Sequence, residues 1–193
     1  MRHYGFAANP VTIPYGDLYL HARVYARAQS RNGENMIQIV GIGGYAVSNR
    51  ATDIIKTYAL SSCVAVTAYS PVRNAAGMIH AALPCPLSLA HRPRNHPPAY
   101  FATSGVPFLM ARMVAQFGCS LNELQIHVFG GANSLRNDDH FRIGLRNLKA
   151  VAAVLEDMKL SYSLSDVGGQ LSRSVELEVG SGAIYVVRQP MAV

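Results

Sequence analysis

Apolar and polar positions follow two different periods along this chain, and each period predicts its own kind of element. From Met36 the apolar runs are short. MIQIVGIGGYAV reads as a strand followed by a glycine turn, and Asp53–Tyr58 as a further strand. Cys63–Tyr69, CVAVTAY, is rich in β-branched residues and reads as a buried strand. Ser70–Gly77 reads as a turn, and Met78–Leu83 is another apolar run that stops at Pro84. The next segment, CPLSLAHRPRNHPP, has no apolar period and many prolines, so a long loop is expected there.

The period then changes to that of a helix. Val106, Leu109, Met110, Met113, Val114 and Phe117 form one stripe between Ser104 and Phe117. Ser104 is the expected N-cap, Pro107 lies in the first turn, and Gly118 is the expected stop. Leu124–Phe129 reads as a strand closed by Gly130-Gly131. A second helix is expected from Gly144 to Lys159, with Leu148, Val151, Ala152, Leu155 and Met158 inward. Leu160–Val167 and Val175–Val179 read as strands, and Gly180-Ser181-Gly182 as a hairpin turn into Ile184–Val187. About seven strands and two helices predict an α/β or α+β domain: a layered sandwich of mixed β-sheet with packing helices.

The first thirty-five residues differ. They contain no lysine and end in a polar stretch, Ser30–Asn35, which reads as a linker. Residues 1–35 are expected to be an N-terminal extension, with a strand or two or a flexible arm as the alternatives, and residues 36–193 the main domain. Half of the chain is apolar and 15% is charged, which suits a buried core rather than disorder. No apolar run reaches the roughly 20 residues a membrane span needs, and the N-terminus does not read as a signal peptide, so a cytoplasmic protein without membrane insertion is expected. The formal charge of +6 suits an acidic partner. There is no dense Lys/Arg run and no nucleic-acid motif, so no nucleic acid is expected as partner.

Three cysteines, Cys63, Cys85 and Cys119, are too few for a disulfide framework and are expected as free thiols. A lone cysteine is ordinarily an inert core residue. Cys63, however, begins an apolar strand after small polar residues, and His80 follows seventeen positions later on another expected strand. If those strands pair, an imidazole can serve the thiol as base, and the hydroxyl of Thr57 can hold the imidazole in one tautomer. Cys85, His91 and His96 share the proline-rich loop, but their spacing fits no zinc pattern, so no metal is expected.

Five blocks then carry a family resemblance. MIQIVGIGGYAVSNRATDIIKTYALSSCVAV, PVRNAAGMIHAALP, IHVFGGAN, IGLRN and LSDVGGQLSRSV resemble, in order and spacing, the chemoreceptor glutamine deamidase family CheD. The resemblance covers roughly Met36 to Gln189. It implies a fold similar to toxin-type glutamine deamidases and a catalytic cysteine, histidine and threonine at Cys63, His80 and Thr57. It also implies deamidation of receptor glutamines to glutamate through a thioester, with no cofactor, and hydrolysis of glutamate methyl esters as an allied activity. Chemoreceptor cytoplasmic helices are the implied partners, with a CheC-type phosphatase as a further one; a non-catalytic module regulating such a phosphatase is the alternative. Ser62 and Asn133 are expected to line the substrate site, with Arg146 a weaker candidate. A thiolate at Cys63 with a low pKa is expected to alkylate faster than Cys85 or Cys119. Two positions depart from the family pattern: Ser61 stands where glycine is usual, and Leu145 where glutamate is frequent. If Ser61 needs φ > 0, it carries strain.

Overall fold

A computed structural model describes residues 26–29, 36–86, 96–134 and 141–191. Ten strands and two α-helices are described. They run β1 (Ala26–Gln29), β2 (Ile37–Val40), β3 (Tyr45–Ser48), β4 (Ile54–Leu60), β5 (Val64–Ser70) and β6 (Ala75–Ala81). Then follow α1 (Ala102–Phe117), β7 (Gln125–Gly130), α2 (Ile143–Asp157), β8 (Ser163–Val167), β9 (Leu171–Glu178) and β10 (Ile184–Pro190). The mixed α+β class expected from the pattern is the class observed.

The strands form two five-stranded mixed sheets. One has the order β1-β2-β4-β9-β10, the other β3-β6-β5-β7-β8. Each holds one parallel pair, β2–β4 and β7–β8, and is otherwise antiparallel. The two sheets face each other, and α1 and α2 cover the far face of the second. Two apolar cores separate the three layers. Val64, Val66, Ala68 and Ile79 meet α1 residues such as Leu109 and Met113, whereas Ala65, Met78 and Phe129 meet Ile55, Val175 and Leu177 of the first sheet. Alternate residues of β5 and β6 thus enter opposite cores, and all seven residues of each are buried. That is why CVAVTAY lacks polar alternation. Each fully buried Leu, Ile or Met contributes roughly 1.5–3 kcal/mol.

Several boundaries differ from the expected ones. The turn after β5 ends at Asn74, whose φ of 48° completes it, and β6 starts at Ala75 rather than Met78. The glycine turn after β2 leads into β3, which crosses to the other sheet. Helix α1 begins at Ala102; Ser104 is inside it, and its one hydroxyl proton is shared between the carbonyls of Pro98 and Phe101, each 3.3 Å away, instead of capping. Gly118 does end α1, at φ 66°, with its N–H on Val114 O. β1 lies within the first thirty-five residues and pairs with β2, so the sheet begins before Met36. No helix among the described residues is long and apolar enough to cross a membrane.

Candidate active site

His80 and Thr57 meet between the sheets. Thr57, on β4, and His80, on β6, both point into the inter-sheet layer and are 0% and 2% exposed. The Thr57 hydroxyl donates to the Val40 carbonyl at 2.7 Å and lies 2.9 Å from His80 Nδ1. A hydroxyl has one proton, and a carbonyl can only accept. Thr57 therefore accepts from Nδ1–H, which fixes the tautomer and leaves Nε2 with its lone pair. Nε2 is buried and has no hydrogen-bond partner among the described residues. The backbone of His80 is pinned as well: its carbonyl takes the Gly43 N–H at 2.7 Å, and its N–H donates to Gly44 O at 3.1 Å. Gly43 needs φ +73°, and a Cβ there would press on Pro97 and Tyr100.

Cys63 stands one residue before β5. The register pairs Val64 with Ala81 and Ala65 with His80. Cys63 is two residues from Ala65, so it shares the face of His80 and is its diagonal neighbour across the strand pair. Its side chain is half-buried against the inter-sheet core.

The turn that carries Cys63 is held through its backbone. Gly131 N–H donates to Cys63 O at 2.8 Å and Ala132 N–H to Ser61 O at 2.7 Å. A Cβ on Gly130 would lie 2.3 Å from Cys63 O, and one on Gly144 would lie 2.2 Å from Ala132 O. The Gly-Gly-Ala stretch is thus packed backbone to backbone against the Cys63 turn, and the first turn of α2 against that stretch. β4 approaches the turn through a bulge. Its register to β9 slips between Thr57 and Leu60, with Ala59 at φ 56°. The bulge leaves Thr57 and Leu60 both buried while Tyr58 and Ala59 face out.

Electrostatically the site rests neutral. Burial lowers His80 to a pKa of about 4, a shift only partly offset by the Val40 carbonyl. Burial also raises the Cys63 thiol, against a smaller opposing contribution from its own backbone N–H. Burial thus opposes a standing thiolate at Cys63 in the absence of substrate. A neutral imidazole can still take a proton from a neutral thiol on the same face, as that thiol reacts.

Of the other expected residues, Ser62 and Asn133 adjoin the Cys63 turn and the Gly-Gly-Ala stretch packed on it. Asn133 is exposed, and its N–H donates to Gly169 O at 2.8 Å. Arg146 is exposed on α2. Ser62 is half-buried, with its carbonyl turned to Asn147. Ser61 is not among the residues with positive φ, so serine carries no strain there. Cys85 is exposed, and His96 stacks on Tyr100 at 4.4 Å. His91 lies outside the described residues, among which no metal-binding cluster of His, Cys, Asp and Glu occurs. Asn147 was not singled out from the sequence. It closes the IGLRN block that carries part of the resemblance, and it is a polar residue beside Leu148 on the face of α2 that otherwise reads as apolar.

The profile of the family described as CheD chemotactic sensory transduction matches residues 83–188. A relative in Syntrophotalea carbinolica, named a probable chemoreceptor glutamine deamidase CheD, is 42% identical over 150 residues, covering 77% of this chain and 91% of its own. This chain belongs to the CheD family. A second relative of the same printed name, from Pyrococcus abyssi, is 34% identical over 147 residues, 75% of this chain and 87% of that one. Stretches of that length must take in residues 57 to 80, which lie upstream of the profile match. Among solved structures, the Bacillus licheniformis hypothetical protein YfiH is similar at a TM-score of 0.36 and 12% identity, over 65% of this chain and 49% of its own.

Proposed function

We propose that this CheD family chain is a chemoreceptor glutamine deamidase with Cys63 as nucleophile, His80 as base and acid, and Thr57 as the group that orients His80. One observation carries the reading. The Thr57 hydroxyl, committed to Val40 O, leaves His80 only one tautomer, with a free Nε2 on the face that Cys63 shares. A histidine kept for packing alone would not bury an unpartnered nitrogen, which costs about 1–3 kcal/mol.

The chemistry follows in two halves. Nε2 takes the thiol proton as the sulfur bonds to the side-chain amide carbon of the substrate glutamine. The tetrahedral species collapses, the C–N bond breaks, and His80 returns the proton to the departing ammonia. Water, deprotonated by Nε2, then attacks the thioester, leaving glutamate and the thiol. A glutamate methyl ester enters the same thioester with methanol as leaving group. The substrates are receptor helices on the cytoplasmic side of the membrane, which puts the enzyme there too; a CheC-type phosphatase is the further partner of this reading. The basic net charge suits acidic helices.

Peptide mass spectrometry of a chemoreceptor cytoplasmic fragment tests the reading. Incubation with the wild-type protein should add about one dalton per converted glutamine and release ammonia, and Cys63→Ala should do neither. Conversion by both proteins would remove Cys63 from the mechanism. Conversion by neither would turn the weight to a binding role.

A further inference from the structure

Asn147 is wholly buried in the second turn of α2, and both hydrogens of its Nδ2 are used. It donates to Ser62 O at 2.8 Å and to Ala82 O at 2.9 Å. Only the nitrogen fits between two carbonyls, so the orientation of the carboxamide is fixed by its partners. Val64–Ala81 is the last ladder pair of β5 and β6, and Ser62 and Ala82 lie where the strands part. Asn147 closes that open end. Its Oδ1 is buried without a partner among the described residues, a desolvation cost that an apolar side chain of similar size would avoid.

The direction of one peptide follows. Ser62 C=O and Cys63 N–H belong to the same peptide unit, and in a trans peptide they point opposite ways. The carbonyl faces α2, so the N–H faces away from the helices, toward the side on which Cys63 packs. That N–H has no backbone carbonyl partner among the described residues.

We infer that Asn147 is a positioning residue that aims the Cys63 N–H at the oxyanion formed when the Cys63 sulfur attacks. As the C–S bond forms, the carbonyl π pair moves onto oxygen, and this N–H receives the charge. On collapse the pair returns and the leaving group departs. The inference rests on Cys63 being the nucleophile of the proposed deamidase.

Two reactions of the same sulfur separate aiming from mere support. Acylation by p-nitrophenyl acetate passes through an oxyanion; alkylation by iodoacetamide does not. In the full-length protein, Asn147→Ala should slow the acylation burst at Cys63 about a hundredfold, the usual effect of losing one oxyanion donor. Alkylation of Cys63, read by peptide mass spectrometry, should stay within about threefold. Equal slowing of both reactions, or of neither, would overturn the inference, as would a wild-type burst no larger than that of Cys63→Ala. Should Asn147→Ala not fold, Asn147→Thr, which keeps one shorter donor, takes its place under the same two criteria. If wild type leaves receptor glutamines unchanged while Asn147→Ala still slows acylation alone, the deamidase reading fails and the aimed N–H stands.

Discussion

His80 sits near the end of β6, inside the sandwich, whereas Cys63 precedes β5 in a turn that reaches the surface. His80 is fixed through its side chain by Thr57 and through its backbone by the Gly43-Gly44 turn. Cys63 is held, among the described residues, by hydrogen bonds to backbone carbonyls, from Gly131 to its own and from Ala132 and Asn147 to those of its turn neighbours Ser61 and Ser62. Burial has a consequence for each. It holds the imidazole neutral and so available as a base, and it holds the thiol protonated until a substrate arrives. In the proposed mechanism the base therefore sits in the core, and the nucleophile, which has to meet a protein substrate, sits at the half-buried edge.

Removing the base should have the largest effect. His80→Gln keeps a polar group of similar size but no base, and kcat for receptor glutamines should fall about 10³-fold. The melting temperature should stay near that of wild type. A loss under tenfold would mean that another group takes the proton. On the cysteine side the sharpest lesion is Gly130→Ala. The position has φ +94°, and the new Cβ would sit 2.3 Å from Cys63 O. The turn must shift, which should cost about a hundredfold in kcat and about 2–4 kcal/mol in urea denaturation. The His80 Nδ1–H signal in NMR should persist, because its Thr57 partner lies on β4 and is untouched by the substitution.

The two halves were not equally legible in the sequence. Strand periods and the family resemblance brought out Thr57, His80 and Cys63, and the described contacts join the first two directly. The diagonal placement of Cys63 needed the β5–β6 register, which no local pattern fixes, because both strands are buried on both faces. For the same reason the start of β6 was placed three residues late: Ala75-Ala76-Gly77 carries little β-propensity, and tertiary pairing decides. The transfer of β3 to the second sheet follows from its pairing with β6, a non-local fact. Asn147 escaped because its partners are backbone carbonyls 85 and 65 residues away, which leave no mark on local composition.

Thr57→Val tests the tautomer argument. It keeps the shape and removes both hydrogen bonds, so Nδ1–H and Val40 O lose their partner. We expect a loss of roughly 10- to 100-fold in kcat, and about 1–3 kcal/mol in stability; Thr57→Ser should recover most of both. Equal activity in the Val and Ser variants would show that the strands orient His80 unaided. The burial of His80 also sets a pH dependence. Unfolded, the ring titrates near 6.5; folded, near 4. Between those values the unfolded chain binds the proton and the folded chain does not, so stability rises with pH there and is lost on acidification. The loss by pH 4 should approach about 3 kcal/mol from this group, seen as a falling urea midpoint from pH 7 to pH 4. In His80→Gln that slope should flatten.

The smallest effect is expected at Ser61, where this chain departs from the family pattern. A glycine-specific conformation there would make serine a source of strain on the nucleophile turn. Ser61 has no positive φ; the left-handed residue is Ala59, two positions earlier in the β4 bulge. The Ser61 backbone already accepts the Ala132 N–H, and its hydroxyl donates to the sulfur of Met191. Ser61→Gly should therefore leave kcat within about twofold and change stability by less than about 1 kcal/mol, the loss coming from the freer unfolded chain. By contrast Ala59→Gly relieves a left-handed alanine and should stabilise by about 1 kcal/mol. A large gain in activity from Ser61→Gly, with none in stability from Ala59→Gly, would reverse this assignment and place the strain beside the nucleophile.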